Sequence, residues 1–325
     1  MYPLKFKSIY VNKVWAGNKL KEIKTDINSE YQIGESWEVS CRQNGKNIIT
    51  NGKYNGKNLQ EIIDIEKEKL IGNKIDVDRF PLLLKFLDSS TELSIQVHPD
   101  DKYAIENEND LGKTEAWVVL KADKDAYMYL GAKDCNKEEL ELAIGNNEIK
   151  KYVNKVNVKE GDVYFIKSGL IHSMKGVLVL EIQQNSDVTY RVYDGDNGRK
   201  LHIKKAMDVI DLSLLAEKSY GLSYENDDYK KIYYCYDKNF MLEKYIIKTK
   251  IEEKSDNERF YLITCIGGNG IIEYDLGTET INIGETVMIP ATLGDYKIVG
   301  ELEILKTYVP DIKKIENEII ENIRY

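Results

Sequence analysis

The apolar segments of this chain are all short, and this limits the folds that it can form. The longest of them, such as Pro81–Leu84 and Val177–Leu180, have the length of a β-strand, whereas a membrane-spanning helix needs about 20 apolar residues. Short β-rich segments recur at Pro81–Leu87, Leu93–His98, Ala116–Leu120, Tyr127–Leu130, Val163–Ile166, Val177–Ile182 and Thr189–Tyr193. This spacing is typical of a β-sandwich or β-barrel and not of a parallel α/β sheet.

Four segments carry helical signals. Asn58 stands three residues before Glu61, and Asn136 stands three residues before Glu139. This spacing forms a capping box, which marks the first turn of a helix. A third helix is predicted over Ile203–Leu215. The last helix is predicted from isoleucines at helical spacing, namely Ile312, Ile315, Ile319, Ile320 and Ile323.

A second series of β segments begins near Asp237. The polar stretch Ser223–Asp228 separates it from the first series, so we predict two domains, residues 1–228 and 229–325. Lys159–Ile166 and Asn282–Pro290 each place a Gly and an acid at a turn before a short apolar strand, which suggests a duplicated barrel. The predicted fold is mainly β, with two jelly-roll β-barrel domains, helical insertions in the first and a helix at the C-terminus.

The charge of the chain argues against nucleic acid as a partner. Its 46 Lys and Arg and 55 Asp and Glu give a formal net charge of −9, whereas a phosphate backbone is bound mainly through Lys and Arg. Met1–Trp15 lacks the apolar core of a signal peptide. The four cysteines have no paired spacing and are predicted to be free thiols. We therefore expect a cytoplasmic protein that binds neither nucleic acid nor membrane.

The segment Leu93–His98 alternates strictly between apolar and polar residues. In a strand, its three apolar residues share one face, and Ser94, Gln96 and His98 share the other. The apolar face is expected to pack against another layer. The polar face is then either a solvated outer surface or a binding surface.

The few histidines favour the second alternative. His98 ends one predicted strand, His172 follows another, and Glu115 begins a third. Two histidines and a carboxylate from separate strands are a common ligand set for a catalytic metal, and this set leaves one coordination position open. His202 lies at a predicted helix start, and we interpret it as a surface or packing residue.

Charged residues interrupt the apolar strands that should build the core. Lys85 lies in one such strand and Glu181 in another, Lys113 is two residues before Glu115, and Arg191 belongs to a later strand whose face we predict it shares with Asp187. A buried lysine is costly unless it is paired or functional. These residues are therefore either buried ion pairs, such as Lys85 with Glu181, or parts of a binding site.

Several motifs together resemble one enzyme family. They are Leu93–Pro99, Lys113–Glu115, Gly34–Glu38, Ile171–His172 and Asp187–Asp194. They are similar to motifs of the type I mannose-6-phosphate isomerases, in particular the short bacterial branch. The resemblance extends from about Lys13 to Asp208 and more weakly to the end of the chain. It implies a cupin-like fold and one bound zinc ion.

The resemblance also implies roles for individual residues. The implied zinc ligands are Gln96, His98, Glu115 and His172. The implied catalytic arginine is Arg191, the family lysines correspond to Lys85 and Lys113, and the family acidic pair corresponds to Glu181 and Asp187. The second domain contains no histidine, so it is predicted to be metal-free and structural.

These groups suit the interconversion of an aldose phosphate and a ketose phosphate. Zinc would stabilise negative charge on the substrate oxygens of an enediolate. Arg191, Lys85 and Ser94 could bind the phosphate. The base is either Glu181, if burial raises its pKa, or Lys113, if the zinc favours its neutral form.

Two other functions use the same residues. His98, Glu115 and His172 also match the ligands of an iron-dependent cupin oxygenase, and the fold could serve a non-catalytic protein that binds sugar phosphates. The cations favour the isomerase over the oxygenase, and the complete ligand set favours it over the non-catalytic protein.

Overall fold

A computed structural model describes residues 1–28 and 30–323. Its strands are β1 Leu4–Lys7, β2 Ile9–Asn12, β3 Ile33–Val39, β4 Cys41–Arg42, β5 Gly45–Lys46, β6 Ile48–Ile49, β7 Leu82–Ser89, β8 Ile95–Val97, β9 Glu115–Ala132, β10 Val153–Asn157, β11 Val163–Ile166, β12 His172–Gln184, β13 Tyr190–Tyr193, β14 Leu222–Glu225, β15 Tyr229–Tyr236, β16 Met241–Ile247, β17 Lys250–Lys254, β18 Tyr261–Tyr274, β19 Gly277–Asn282, β20 Thr286–Ile289, β21 Asp295–Val299 and β22 Leu302–Tyr308. The α-helices are α1 Leu59–Glu66, α2 Glu68–Ile71, α3 Asp101–Glu108, α4 Lys137–Gly145, α5 Ile203–Val209 and α6 Ile312–Ile323. The chain is mainly β, as predicted.

The chain groups into two compact units, each built from separate stretches. The terminal unit comprises Met1–Ile9, Trp37–Leu83 and Tyr220–Tyr325, and the central unit comprises Tyr10–Ser36 and Leu84–Ser219. This grouping differs from a single division after residue 228. The strand β6 joins the sheet of the C-terminal strands, and backbone carbonyl groups of α2 accept hydrogen bonds from loops that connect those strands. The functional division into a catalytic domain of residues 1–228 and a metal-free domain of residues 229–325 stays a prediction.

An 11-stranded sheet forms the terminal unit. Its main order is β14-β15-β16-β22-β18-β20-β1-β6. In addition, β19 and β21 pair with β18, and β17 pairs with β21. The first strand lies within it: β1 is antiparallel to β20, with Leu4 opposite Met288. Both side chains are fully buried, so residues from opposite ends of the chain build the same core.

The central unit contains a nine-stranded sheet organised around two long strands. β9 and β12 pair antiparallel along most of their length, and the order is β10-β9-β12-β7-β3-β2, with β11 on β9 and β8 between β12 and β13. Within the described residues, the end strands of both sheets pair on one side only. The prediction of closed barrels is therefore wrong, although the prediction of a mainly β fold is confirmed.

The alternation in Leu93–His98 decides which side of β8 is apolar. Ile95 and Val97 are fully buried and pack in one cluster with Leu140 of α4 and Ala206 of α5. The polar residues of the segment face the other way, and they too are buried or half-buried. The alternative of a solvated outer face is therefore wrong.

The four predicted helices form, and α2 and α3 are present in addition. Both predicted capping boxes form, at the starts of α1 and α4, and α6 spans the series of isoleucines. The third helix is shorter than predicted and ends at Val209 instead of Leu215. The Asp211 carboxylate accepts a hydrogen bond from the Ser213 N–H at 2.9 Å, and this favours a turn over a further helical turn.

The four cysteines are free thiols, and burial raises the pKa of each, so all four are protonated at neutral pH. Among the described residues, no helix combines the length and the apolar character that crossing a membrane requires.

A largely buried ion pair, Glu253 with Lys306, lies in the terminal unit. Glu253 also accepts hydrogen bonds from the hydroxyls of Tyr245 at 2.8 Å and Tyr296 at 2.5 Å. Burial acts to raise the pKa of Glu253, but Lys306 and Lys231 outweigh it and lower the pKa to about 2. This value is below that of an unfolded Glu, about 4.3, so the carboxylate stabilises the fold above about pH 4, and the stabilisation is lost as the pH falls toward 2.

We expect Glu253→Gln to lower the free energy of unfolding at neutral pH by about 3–5 kcal/mol, because Lys306 would keep a buried charge without its partner. The difference from wild type should shrink as the pH falls, since wild type then loses the same charge. Urea unfolding at several pH values measures this. Glu252→Gln is the control, because that neighbour is exposed and should change little. Equal effects of the two substitutions would contradict the argument.

Candidate metal centre and active site

The predicted site residues of the central unit lie side by side on neighbouring strands. Gln96 of β8 stands opposite His172 on one side and opposite Arg191 on the other. Residues directly opposite each other on paired strands project from the same face, so these three form a row. His98 follows Gln96 by two residues and faces the same way. Glu115 begins β9, which pairs with β12.

His98, Glu115 and His172 are the one group of three or more His, Cys, Asp or Glu in the described chain that could hold a metal ion. Their ligand atoms lie within 4.8 Å of one another, and each side chain is at most 1% exposed. His172 Nε2 is 3.4 Å from Glu115 Oε1, and His98 Nε2 is 3.7 Å from Glu115 Oε2. Ligands that bind a tetrahedral zinc at about 2.0–2.1 Å are about 3.4 Å apart, so this spacing suits zinc.

Both imidazoles are held with Nε2 toward the centre of this group. His98 Nδ1 lies 2.8 Å from the Val188 carbonyl oxygen, and His172 Nδ1 lies 2.8 Å from that of Leu170. A carbonyl only accepts, so each Nδ1 carries the proton and each Nε2 keeps a lone pair. Burial lowers the pKa of His172 to about 4 and that of His98 well below its usual range. Both rings are therefore neutral, which is the form that binds a metal.

The hydrogen bonds of the Glu115 carboxylate indicate whether the site suits a metal ion. Lys113 donates to Oε2, but Oε1 is buried without a hydrogen-bond partner. Burial raises the pKa of Glu115 to about 8, against the opposing effect of Lys113. A buried acceptor without a partner costs about 1–3 kcal/mol, and a cation bound by this oxygen would remove that cost. The residues present fit a divalent ion such as zinc or iron.

The amide nitrogen of Gln96, the predicted fourth ligand, lies close to both imidazoles. Gln96 Nε2 is 3.5 Å from His98 Nε2 and 3.4 Å from His172 Nε2. Its oxygen accepts a hydrogen bond from Ser94 Oγ at 3.0 Å. A metal would bind the amide oxygen, so a ligand role requires the amide to turn over. Ser94 could hold either orientation, because a hydroxyl both donates and accepts.

A buried network of charges lies beside the metal-ligand group. Glu181 is 3.6 Å from Lys85 Nζ and 3.7 Å from Lys113 Nζ, and it accepts the Trp117 indole N–H at 3.1 Å. Lys113 Nζ is also 3.2 Å from His98 Nε2. The ion pair of Lys85 with Glu181, which the sequence offered as the structural alternative, is present.

This network determines the protonation of Glu181. Burial acts to raise the pKa of Glu181, but Lys113 and Lys85 outweigh it and lower the pKa to about 2. The sequence made Glu181 a base on the condition that burial raises its pKa, and that condition is not met. A carboxylate with so low a pKa is a weak base at neutral pH.

Among the described site residues, Arg191 is a cation with an unmet donor. Its Nε is buried without a hydrogen-bond partner. Its backbone is held by His202, whose Nδ1 accepts the Arg191 N–H at 3.3 Å and whose N–H donates to Arg191 O at 2.8 Å. The prediction that Asp187 and Arg191 share a strand face is wrong, because β13 begins at Tyr190 and does not include Asp187. The charge of Asp187 acts instead to raise the pKa of Lys85.

Two residues of the site have no role in the sequence analysis. Trp117 packs its edge against His172, with ring centroids 5.2 Å apart. It lies two residues after Glu115, so strand alternation could have found it. Glu35 is 8% exposed and helps to raise the pKa of Lys85 against the effect of burial. No strand pattern connects Glu35 with Lys85.

Models of known protein families match two stretches of the chain. Residues 4–152 match the catalytic domain of type I phosphomannose isomerase, and residues 230–309 match the cupin domain of mannose-6-phosphate isomerase. The first match contains Gln96, His98 and Glu115. His172 and Arg191 follow it in the sequence.

Relatives and a solved structure match nearly the whole chain. The mannose-6-phosphate isomerase ManA of Bacillus subtilis is 34% identical over 94% of this chain and 99% of its own length. The mannose-6-phosphate isomerase of Streptococcus mutans is 36% identical over 94% of this chain and 98% of its own. The crystal structure of the Bacillus subtilis mannose 6-phosphate isomerase has a TM-score of 0.88 and 32% identity, and the match covers 94% of this chain and 99% of that one. The chain therefore belongs to the type I phosphomannose isomerase family.

Proposed function

We propose that the protein interconverts mannose 6-phosphate and fructose 6-phosphate as a zinc-dependent isomerase. The observation that carries the proposal is the row of His172, Gln96 and Arg191 on three paired strands. In this row, a buried metal-ligand group lies beside Arg191, whose buried Nε has no hydrogen-bond partner. The relatives named mannose-6-phosphate isomerase support this choice of substrate.

The metal would be held by His98, Glu115 and His172, and Gln96 would join them after its amide turns over. When bound, zinc supplies Lewis-acid stabilisation of the negative charge that develops on the substrate oxygens. The three imidazoles of the chain all belong to the central unit, so we expect one ion per chain. In this proposal residues 229–325, of which 230–309 match a cupin domain, have a structural role.

Arg191 would bind an anionic oxygen of the substrate. Its planar guanidinium can donate two parallel hydrogen bonds, which a lysine cannot reproduce. We assign it to the charge that develops on the enediolate, because it stands in the same row as the metal ligands. Lys85 and Ser94 would help to bind the phosphate, with Asp187 holding Lys85.

We assign the proton transfer between C1 and C2 to Lys113. Its side-chain nitrogen is 3.2 Å from His98 Nε2, so this group lies beside the ligands that would hold the metal. Glu181 is the weaker candidate, because its carboxylate is already paired with Lys85 and accepts the Trp117 N–H. In this proposal Glu181 holds Lys85 and Lys113 in place through its two carboxylate oxygens.

The same proposal covers the cell compartment and the partners. Four protonated free thiols suit a reducing cytoplasm. A net charge of −9 suits a small phosphorylated substrate bound in a local cluster of cations better than it suits nucleic acid. We therefore propose a cytoplasmic enzyme whose ligand is a sugar phosphate.

We predict one tightly bound divalent ion per chain, and we predict that His98→Ala abolishes both metal binding and turnover. Elemental analysis and an isomerase assay on mannose 6-phosphate, before and after chelation, measure this. His202→Ala is the matched control and should keep the metal, because His202 lies outside the ligand group. Two ions per chain, or full activity after complete chelation, would contradict the prediction.

The neighbours Lys113 and Glu115 should separate metal binding from turnover. Glu115→Gln removes a charged ligand and should lose the metal. Lys113→Met should keep the metal and lose at least about 10²-fold in kcat, the lower range for a general acid or base. Zinc content measured together with kcat distinguishes the two effects. Equal loss of metal in both variants would contradict these roles.

For Arg191→Lys we expect kcat and kcat/KM to fall together by about 10²-fold, as for the loss of an oxyanion donor. The metal content should stay the same, because Arg191 is not a ligand. Arg199→Lys is the control and should have a smaller effect, since the Arg199 guanidinium is already bonded to Asp194. A rise in KM with unchanged kcat would assign Arg191 to the ground-state phosphate instead.

A further inference from the structure

Three consecutive backbone N–H groups precede β9, and each has its own acceptor. Gly112 N–H donates to Asp101 Oδ1 at 3.0 Å, Lys113 N–H donates to Pro99 O at 3.0 Å, and Thr114 N–H donates to Gln184 Oε1 at 2.9 Å. Side chains therefore contribute two of the three acceptors that hold the N–H groups of the segment that carries Lys113.

One side chain, that of Gln184, connects these contacts. While its oxygen accepts from Thr114, its Nε2 donates to Asp101 Oδ1 at 2.8 Å, which is the oxygen that also accepts from Gly112. The Gln184 N–H donates to Thr114 O at 3.1 Å. Gln184 is 5% exposed, so water does not compete freely for these groups.

The segment has little room to move. A Cβ atom on Gly112 would lie 2.5 Å from Asp101 N, which is closer than any side chain can approach. The backbone of Gly112 therefore packs directly on the start of α3. This close approach and the bonds of Gln184 fix the segment from two sides.

Lys113 depends on these contacts more than Glu115 does. Glu115 lies in β9 and pairs with Ile166 on one side and with Gln183 on the other, so two neighbouring strands hold its backbone. Lys113 lies two residues before this ladder. Its side chain nevertheless has to reach the buried position 3.2 Å from His98 Nε2.

We propose that Gln184, together with Asp101, is a positioning residue that holds Lys113 where it can transfer the proton. The inference rests on the proposed function, in which Lys113 is the group that moves the proton. Gln184 itself touches neither the metal ligands nor the substrate in this proposal. It acts through the backbone of residues 112–114.

The test begins with Gln184→Met in the full-length, zinc-loaded protein. Methionine has a similar length but lacks the amide, so both side-chain bonds are lost. We expect kcat to fall by about 10–100-fold, the usual effect of losing an outer-shell partner, while the zinc content stays the same. A folded, zinc-loaded variant with unchanged kcat would overturn the proposal, as would a loss of zinc in proportion to the loss of rate.

A double-mutant cycle separates positioning from a general structural role. If Gln184 acts through Lys113, then Gln184→Met combined with Lys113→Met should be no slower than Lys113→Met alone. Multiplication of the two losses would overturn the proposal. Asn136→Ala is the matched control: it removes the cap of α4 in the same unit and should lower stability without changing kcat.

A second pair of variants covers the case in which Gln184→Met does not fold. Asp101→Asn keeps an oxygen that can accept from Gly112 and Gln184, and it should retain most of the wild-type kcat. Asp101→Ala removes that oxygen and should lose rate as Gln184→Met does. Equal kcat in these two variants would overturn the role of Asp101.

Hydrogen exchange gives a readout that does not depend on activity. In Gln184→Met, or in Asp101→Ala if the former does not fold, the amides of residues 112–114 should exchange faster, while amides inside the β9 ladder should not change. Unchanged exchange of residues 112–114 would overturn the proposal. If wild type fails to isomerise mannose 6-phosphate, the proposed function is wrong, and the exchange result still decides whether Gln184 and Asp101 hold the segment.

Discussion

The burial of one carboxylate oxygen without a hydrogen-bond partner, Glu115 Oε1, is the constraint on which the site depends. Two imidazole lone pairs face it, so the centre of the site contains acceptors and lacks a donor for this oxygen. Such an arrangement is unfavourable in a protein interior unless a cation is bound there. The carbonyl groups that hold the two Nδ1 atoms keep this arrangement, because they prevent the rings from turning their N–H groups toward Glu115.

The surrounding charges follow from the same constraint. Lys113 bonds to Glu115, and Glu181 then balances Lys113 and Lys85, so that the positive and negative groups alternate through the buried region. An alternating network costs less to bury than isolated charges. Arg191 lies in the row next to Gln96, and its buried Nε is without a partner. The described residues of the site thus balance most of their own charges, and Arg191 keeps a donor for a ligand.

The sequence predicted the two faces of β8 better than it predicted the architecture. Strict alternation in Leu93–His98 was enough to place the polar and apolar faces of β8, because the pleat of a strand leaves only two faces. The local pattern could not show that the strand of Arg191 begins after Asp187, because the start of β13 depends on its pairing with β8. The low pKa of Glu181 could not be predicted either, because it depends on Lys85 of β7 and on Lys113, which precedes β9.

The architecture was harder because it depends on long-range pairing. Short strands and turn residues predicted a mainly β chain, which is confirmed. They carried no information on which strands meet, so the open order of the sheets and the grouping of residues 37–83 with the C-terminal strands were not predicted. The contacts of Gln184 were not predicted for the same reason, since they join residues that lie about 70 or more positions apart in the sequence.

The pairing of Leu4 with Met288 has a consequence for how the chain folds as it is synthesised. The residues of the central unit are all made before Tyr220, whereas β1 must wait for β20 to leave the ribosome. Until then, β1 and β6 can pair only with each other in their sheet, and the open strand edge that remains favours aggregation. Loop closure over so long a distance is also slow. The terminal unit is therefore expected to limit the rate of folding, even though the chemistry is assigned to the central unit.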